Sequence, residues 1–403
     1  MIKNIRTTFL VMVIAMLSSF VATIILGQTL SIGDFGEFAL LKQIILIGST
    51  IAIFGLDFSY IKVFSNNPNS GKKTHLITMI IISLISILFI LMLKIIYDLH
   101  LYKLLFIYCC ICFGAINLYQ AAIYRLKDQF LIAQLFSGGW KIALFLLIGI
   151  FLFSGITIDL QLVYQIFTVS LFIFSSFIIR FFFYKTSNAT DEDIDYKNYL
   201  KLGLIFWLVN STGLISGGID KLVIPIFFGR EILGIFTGVS FIFVISLTMI
   251  GSAIGYVIFP KISAGKDINI IKLSFAIFFI TLFAIIIFQI TGRELVSIIF
   301  SEKFDNFIDK KLIFCFTLLG SFQIVHIILH FILSAKGNKK QLIYYWILSL
   351  FFIGIFIILL YVLKSEFSFS LLSLSIIILI TRFTKIFSMI FLLKRINVDK
   401  LHY

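Results

Sequence analysis

Twelve apolar segments separated by short polar stretches occupy almost the whole of this 403-residue chain. A bilayer core roughly 30 Å thick is crossed by about 20 apolar residues in a helix, and backbone facing hydrocarbon must pair its own N–H and C=O groups. Each segment therefore predicts a membrane helix. The predicted spans are 8–27, 36–57, 75–97, 102–123, 133–154, 160–183, 199–220, 232–258, 269–290, 312–333, 342–363 and 368–392. No period-two alternation accompanies them, which sets aside an outer-membrane barrel. The predicted fold class is an all-α integral membrane protein. The first segment follows only Lys3 and Arg6, as a signal peptide would, but shows no convincing small-residue cleavage site and reads as a retained helix.

The two halves repeat each other. Moving the second half back by 198 positions lays Gly234-Ile-Phe236 on Gly36-Glu-Phe38, and Lys339-Lys-Gln341 matches Lys127-Asp-Gln129 at a slightly larger offset. The expected organisation is a six-helix lobe over 1–183, a cytoplasmic linker over 184–198 rich in Asp and Glu, and a second six-helix lobe over 199–403. Parallel repeats of this kind build a central cavity in secondary transporters, with alternating access as the expected mechanism.

Composition agrees: 61% of residues are hydrophobic, 13% are charged, and mean hydropathy is +1.13. The net charge of +14 follows largely from topology. With the N-terminus inside, and residues in the end turns of a span counted with the adjacent side, 20 of the 33 Lys and Arg residues fall on the cytoplasmic side, nine fall opposite and four lie deeper within the drawn spans. That bias predicts both termini in the cytoplasm, and the remaining attraction is for anionic lipid, not nucleic acid. Cys109, Cys110, Cys112 and Cys315 all lie in apolar spans, where they read as small core residues. One helix does not bring 109, 110 and 112 onto one ion, so no metal site is expected.

Leu30-Ser-Ile-Gly-Asp-Phe-Gly36-Glu-Phe38 and Phe54-Gly-Leu-Asp57 open a series of short motifs. Tyr124-Arg125-Leu-Lys127, Asp220-Lys221, Phe259-Pro-Lys-Ile262, Leu295-Val-Ser-Ile-Ile-Phe300 and Ala335-Lys-Gly337-Asn-Lys339 follow in order. Together they resemble the polysaccharide-export, or O-antigen repeat-unit, flippases of the multidrug/oligosaccharidyl-lipid/polysaccharide (MOP) exporter superfamily, over residues from about 8 to 340. The resemblance implies a flippase that is not an enzyme. Its cargo would be a polyprenyl-diphosphate-linked oligosaccharide, moved across a bacterial cytoplasmic (inner) membrane for O-antigen or capsule assembly. It also implies work beside a glycan polymerase and a chain-length regulator.

Such a route needs cations inside the bundle. On the second helix Lys42 and Ser49, with Gln43, Thr50 and Asp57 alongside, form a polar stripe at heptad spacing. A charge at the bilayer centre costs about 2.5–3.5 kcal/mol, which favours an interior position. Arg382 and Lys385 share a face of the last helix, and a guanidinium offers paired donors to phosphate. Arg125, Lys141, Asp220 and Lys221 complete the candidate pathway residues. Each has a plainer alternative. Lys42, Lys141, Arg382 and Lys385 can snorkel to an interface, and Asp220 can pair with Lys221. The stripe Gly213, Ser216, Gly217, Asp220 can mark close helix packing. His326 and His330, one turn apart, read as a packed or cavity-lining pair. Coupling to H+ or Na+ is compatible with the sequence, which does not choose between them.

Two other functions fit the same outline. A drug-type antiporter of the same superfamily would take a small cation, which the excess of intramembrane Lys and Arg disfavours. A membrane glycan polymerase would carry a large extracytoplasmic loop, whereas the longest predicted here is 291–311 with Arg293, Glu294, Glu302 and Asp305 as solvated residues.

Overall fold

The computed structural model of the chain describes residues 2–64, 72–97, 99–178, 195–263, 270–336, 339–366 and 370–399, which are almost entirely helical. Eleven helical stretches among the described residues are long and apolar enough to cross a membrane. The chain is a multi-pass membrane protein.

The helices are α1 (Ile2–Thr29), α2 (Ile32–Ala52), α3 (Leu56–Val63), α4 (Lys72–Tyr97), α5 (Leu101–Leu126), α6 (Phe130–Phe153) and α7 (Leu160–Ser175). Then come α8 (Tyr196–Ser240), a π turn over Phe241–Ile245, and α9 (Ser246–Ser263). They are followed by α10 (Ile270–Phe300), α11 (Lys310–Lys336), α12 (Lys339–Glu366) and α13 (Leu371–Asp399). Side-chain caps set several starts. Ser31 accepts from the Asp34 amide at 3.1 Å, Asp159 from Leu162 at 2.8 Å, Asp195 from Asn198 at 3.1 Å and Asp309 from Leu312 at 2.6 Å. Each cap satisfies an amide that the first helical turn leaves unpaired.

The helices group into two compact units, Met1–Ile215 and Ser216–Tyr403. In the first, α2, α3, α4, α6 and α7 pack on α5, and α1 lies along α6. In the second, α9, α10 and α13 pack on α11, and α12 lies along α13. The pairings of α2, α4 and α7 with α5 thus recur as those of α9, α10 and α13 with α11. The two units thus share three helix pairings, as repeats would.

Of the expected linker 184–198, residues 184–194 lie outside the described residues. The division between units falls within α8, whose first turns belong to the first unit. The reason is a break in the predicted second helix. That helix is not continuous over 36–57: α2 stops at Ala52, Phe54 and Gly55 take positive φ, and α3 restarts at Leu56. Trp207 of α8 donates its Nε1–H to the Ile51 carbonyl at 3.0 Å, and Ser59 donates to the Tyr199 carbonyl at 2.6 Å. A Cβ on Gly55 would stand 2.3 Å from the Gly203 carbonyl oxygen, so only glycine admits this approach.

The predicted seventh and eighth helices lie in the stretch α8, which is not one continuous helix: non-helical backbone at Gly218 (φ −134°) and Gly229 (φ +86°) breaks it around the predicted connection. Pro225 lies between them and lacks an amide donor for the helical ladder. The predicted 291–311 loop is short because α10 continues to Phe300, so Arg293 and Glu294 are helical.

Candidate functional site

A buried cluster of charged and polar side chains lies inside the second unit, where α8, α11, α12 and α13 each contribute. Its centre is Arg382 of α13, only 8% exposed although it lies in a membrane-length span. Its guanidinium donates from Nη1 to Gln323 Oε1 at 3.0 Å and from Nη2 to the Gly217 carbonyl at 2.8 Å. The same Nη2 lies 3.9 Å from Asp220 Oδ1, a charge contact longer than a hydrogen bond.

The backbone explains why Gly217 offers its oxygen. Gly218 leaves helical φ/ψ directly after it, which interrupts the i to i−4 ladder at this point, and Arg382 supplies a donor from another helix. An added Cβ on Gly217 would meet no heavy atom within 4 Å, so its small size does not serve close helix packing. The expected stripe with Asp220 is accordingly bent at Gly218, and the surroundings of Gly213 and Ser216 are not described.

One turn from Arg382, Lys385 is 3% exposed, with its ammonium 5.4 Å from the centroid of the Tyr345 ring. His326 is buried and His330 half-buried beside them, the latter with its ring 5.8 Å from that of Tyr345. Both cations are thus packed inside the unit. Asp220, Ser349, Thr381, Arg382 and Lys385 line one cavity with Ile219 and Phe352, and its volume is about 30 Å³. That is room for about two water molecules, so a diphosphate enters only when these side chains move. Asp220 Oδ1, Ser349 Oγ and His326 Nε2 are buried atoms without a hydrogen-bond partner here. Such atoms are costly in a low-dielectric setting and are what an incoming polar group or water would satisfy.

Asp220 faces Arg382, and Lys221, half-buried, interacts electrostatically with both. The Asp220–Arg382 contact was not legible in the sequence because 162 positions separate the two residues. Gln323 and Tyr345 were likewise missed. A Gln in the middle of an apolar helix was the only local signal.

The first unit places its candidates separately. Lys42 is half-buried and donates to the hydroxyls of Ser19 at 3.1 Å and Thr23 at 3.0 Å on α1. The stripe drawn with it does not hold together. Ser49 is buried and bonds the Ile111 carbonyl at 3.3 Å, against Gly114, so it belongs to the packing of α2 on α5. Asp57 lies beyond the break, on α3, where it interacts with the charge of Arg125, itself exposed near the end of α5. Lys141 is half-buried, with its ammonium 5.7 Å from the Trp140 ring centroid.

A further ion pair went unpredicted. Lys103 lies 2.5 Å from Glu37 Oε1, which also accepts from the Tyr164 hydroxyl at 2.8 Å, tying α2, α5 and α7 together. A lone Glu in the Gly36-Glu-Phe38 turn was the available signal. Among the described residues no group of three or more His, Cys, Asp or Glu side chains is placed to hold a metal ion. Cys110 is buried, with Sγ 3.2 Å from Thr168 Oγ1, and the other three cysteines are free and half-buried.

Several comparisons bear on this arrangement. A sequence-family profile described as "Polysaccharide biosynthesis protein" matches residues 1–266, well over half the chain. No curated protein matches it. Among solved structures, the lipid II flippase MurJ in an inward closed conformation is similar at 14% identity and a TM-score of 0.70, covering 98% of this chain and 88% of that one. An outward-facing multidrug resistance MATE family transporter of the MOP superfamily gives 14% identity and 0.63, covering 98% and 96%. A MOP superfamily transporter from Pyrococcus furiosus, described as having a binding pocket of reverse polarity, gives 16% and 0.62, covering 99% and 96%. At these identities the likeness is one of fold. With the fold of the MOP superfamily transporters and a family match across most of its length, the chain belongs to the polysaccharide biosynthesis protein family.

Proposed function

We propose that this protein is a flippase that carries a polyprenyl-diphosphate-linked oligosaccharide across a bacterial cytoplasmic membrane, by alternating access, for surface polysaccharide assembly such as O-antigen or capsule. The observation that carries the reading is Arg382, a buried guanidinium inside a membrane span with Lys385 one turn away and Asp220 as its carboxylate neighbour. Burying two cations among apolar helices costs several kcal/mol unless an anion compensates them at some stage. A diphosphate supplies that anion, and a guanidinium binds its oxygens in pairs.

The candidate residues favour cations as a set. Lys42, Lys141, Lys221, Arg382 and Lys385 stand against Asp57 and Asp220, which disfavours a cationic drug as cargo. Both termini lie in the cytoplasm on this reading, where the Lys and Arg excess retains them. An H+ or Na+ gradient drives the cycle, since one charge crossing 100 mV carries about 2.3 kcal/mol. A glycan polymerase and a chain-length regulator receive the product.

The test is translocation of a fluorescent polyprenyl-diphosphate oligosaccharide in proteoliposomes, comparing wild type with Arg382→Ala and Lys42→Ala at equal incorporation. Loss of flipping in Arg382→Ala with the helical fold retained supports the reading. Wild-type rates in both variants, or no flipping by wild type with transport of a small cation instead, would replace it.

A further inference from the structure

The two repeats differ at one corresponding helix end. In the first unit the start of α5 is sealed, because Lys103 is neutralised by Glu37 and held beside Tyr164 of α7. At the 198-residue offset the second repeat has Ile235 in place of Glu37. The equivalent helix, α11, begins after Asp309 with Lys310 and Lys311, both exposed, and position 235 offers no counterpart of Glu37.

Around those lysines the second unit leaves an apolar groove of about 410 Å³. Phe314 of α11 and Leu372 and Ile376 of α13 line it, with Gln289 of α10 at its edge donating to the Lys310 carbonyl at 3.1 Å. It lies on an exposed apolar face. Phe314 and Ile376 are exposed, and α10 beside them exposes Phe278, Phe279, Phe283 and Ile286 along its length. The lysines occupy the first turn of a membrane-length span, where a side chain reaches the headgroup region.

We propose that this groove is a binding site for one anionic phospholipid of the leaflet on that side, with its phosphate on Lys310 and Lys311 and an acyl chain against Phe314, Leu372 and Ile376. Charge complementarity selects the occupant: Lys310 and Lys311 stand exposed at the mouth with only Asp309 beside them in sequence, its Oδ1 spent on the Leu312 amide, and lipid is the solvent of the walls. A zwitterionic lipid fits the same walls but brings its own cation to the lysines. Each lysine near an anionic surface favours binding by about 1 kcal/mol, so the pair amounts to a preference of about 30-fold. This site is independent of the flipping activity proposed above.

Native mass spectrometry of the full chain, titrated with phosphatidylglycerol or phosphatidylcholine of identical acyl chains, tests it. Wild type is expected to bind the first phosphatidylglycerol about 30-fold more tightly than the first phosphatidylcholine. Lys310→Gln/Lys311→Gln removes that preference, while Lys364→Gln, which lies on α12 outside the groove, retains it. Ile376→Trp fills the groove and lowers binding of both lipids. Equal affinity for the two lipids in wild type, or an unchanged preference in the double Gln variant, overturns the proposal. So does displacement of the phosphatidylglycerol by equimolar undecaprenyl phosphate, which would make the isoprenoid carrier the occupant.

Discussion

Arg382 donates a 2.8 Å hydrogen bond from Nη2 to the carbonyl oxygen of Gly217, 165 residues away in sequence. The bond joins the one buried guanidinium among the candidate residues to the point where α8 leaves helical geometry. Substituting Arg382 therefore removes three things at once: a donor to a backbone carbonyl, the partner of Asp220, and the group best suited to a diphosphate. Arg382→Lys is expected to retain the charge but not the forked donors. Flipping measured in proteoliposomes should fall well below wild type for Lys and further for Ala.

The Asp220–Arg382 contact predicts non-additive stability. Removing one member strands a buried charge at a cost of about 3–5 kcal/mol, whereas removing both avoids it. Thermal unfolding in one detergent should show Asp220→Asn and Arg382→Gln each well below wild type, with the double variant higher than the sum of the two losses implies. Additive losses would mean that the 3.9 Å contact carries no coupling.

The Lys103–Glu37–Tyr164 group acts as a clamp in the first unit, so Lys103→Met should destabilise more than Tyr164→Phe. The tyrosine change removes one hydrogen bond, worth about 0.6 kcal/mol on average between membrane helices. The lysine change takes the cation from beside the buried Glu37 carboxylate, which keeps the Tyr164 hydroxyl. Melting temperatures of the two variants decide the order.

The break between α2 and α3 should tolerate no side chain at Gly55. Its φ of +66° and the 2.3 Å approach of the Gly203 carbonyl oxygen both oppose a Cβ. Gly55→Ala is expected to lose more than the 1–2 kcal/mol that left-handed backbone alone costs an L-residue. Gly149→Ala on α6, where an added Cβ meets nothing within 4 Å, is the tolerated control. Equal yields and melting curves for the two would remove the break from the structural argument.

Trp207→Phe should act at the same place more gently. It keeps an aromatic ring beside Phe54, whose centroid lies 5.5 Å from that of Trp207, but removes the donor to the Ile51 carbonyl. A loss of about 1 kcal/mol follows, and Trp207→Ala should lose more because the ring goes as well.

Segment length and hydropathy settled the membrane class, the helical fold and the approximate place of nearly every span, because a bilayer permits so few backbone solutions. The duplication was equally legible, since Gly36-Glu-Phe38 and Gly234-Ile-Phe236 record it directly. The charged positions were legible as anomalies: Arg382 and Lys385 stand out in an apolar helix without any knowledge of their neighbours. What they touch was not. Helical spacing alone drew Lys42, Ser49 and Asp57 into one stripe. The turn at Phe54 and Gly55 separated Asp57, and the approach of α5 at Gly114 buried Ser49. Only tertiary structure brought Asp220, Gln323 and the Gly217 carbonyl to Arg382, because those partners come from separate helices and a buried guanidinium takes whichever acceptors packing places within its reach. Local sequence encodes the need to satisfy a charge in the membrane, and the packing of distant helices decides what satisfies it.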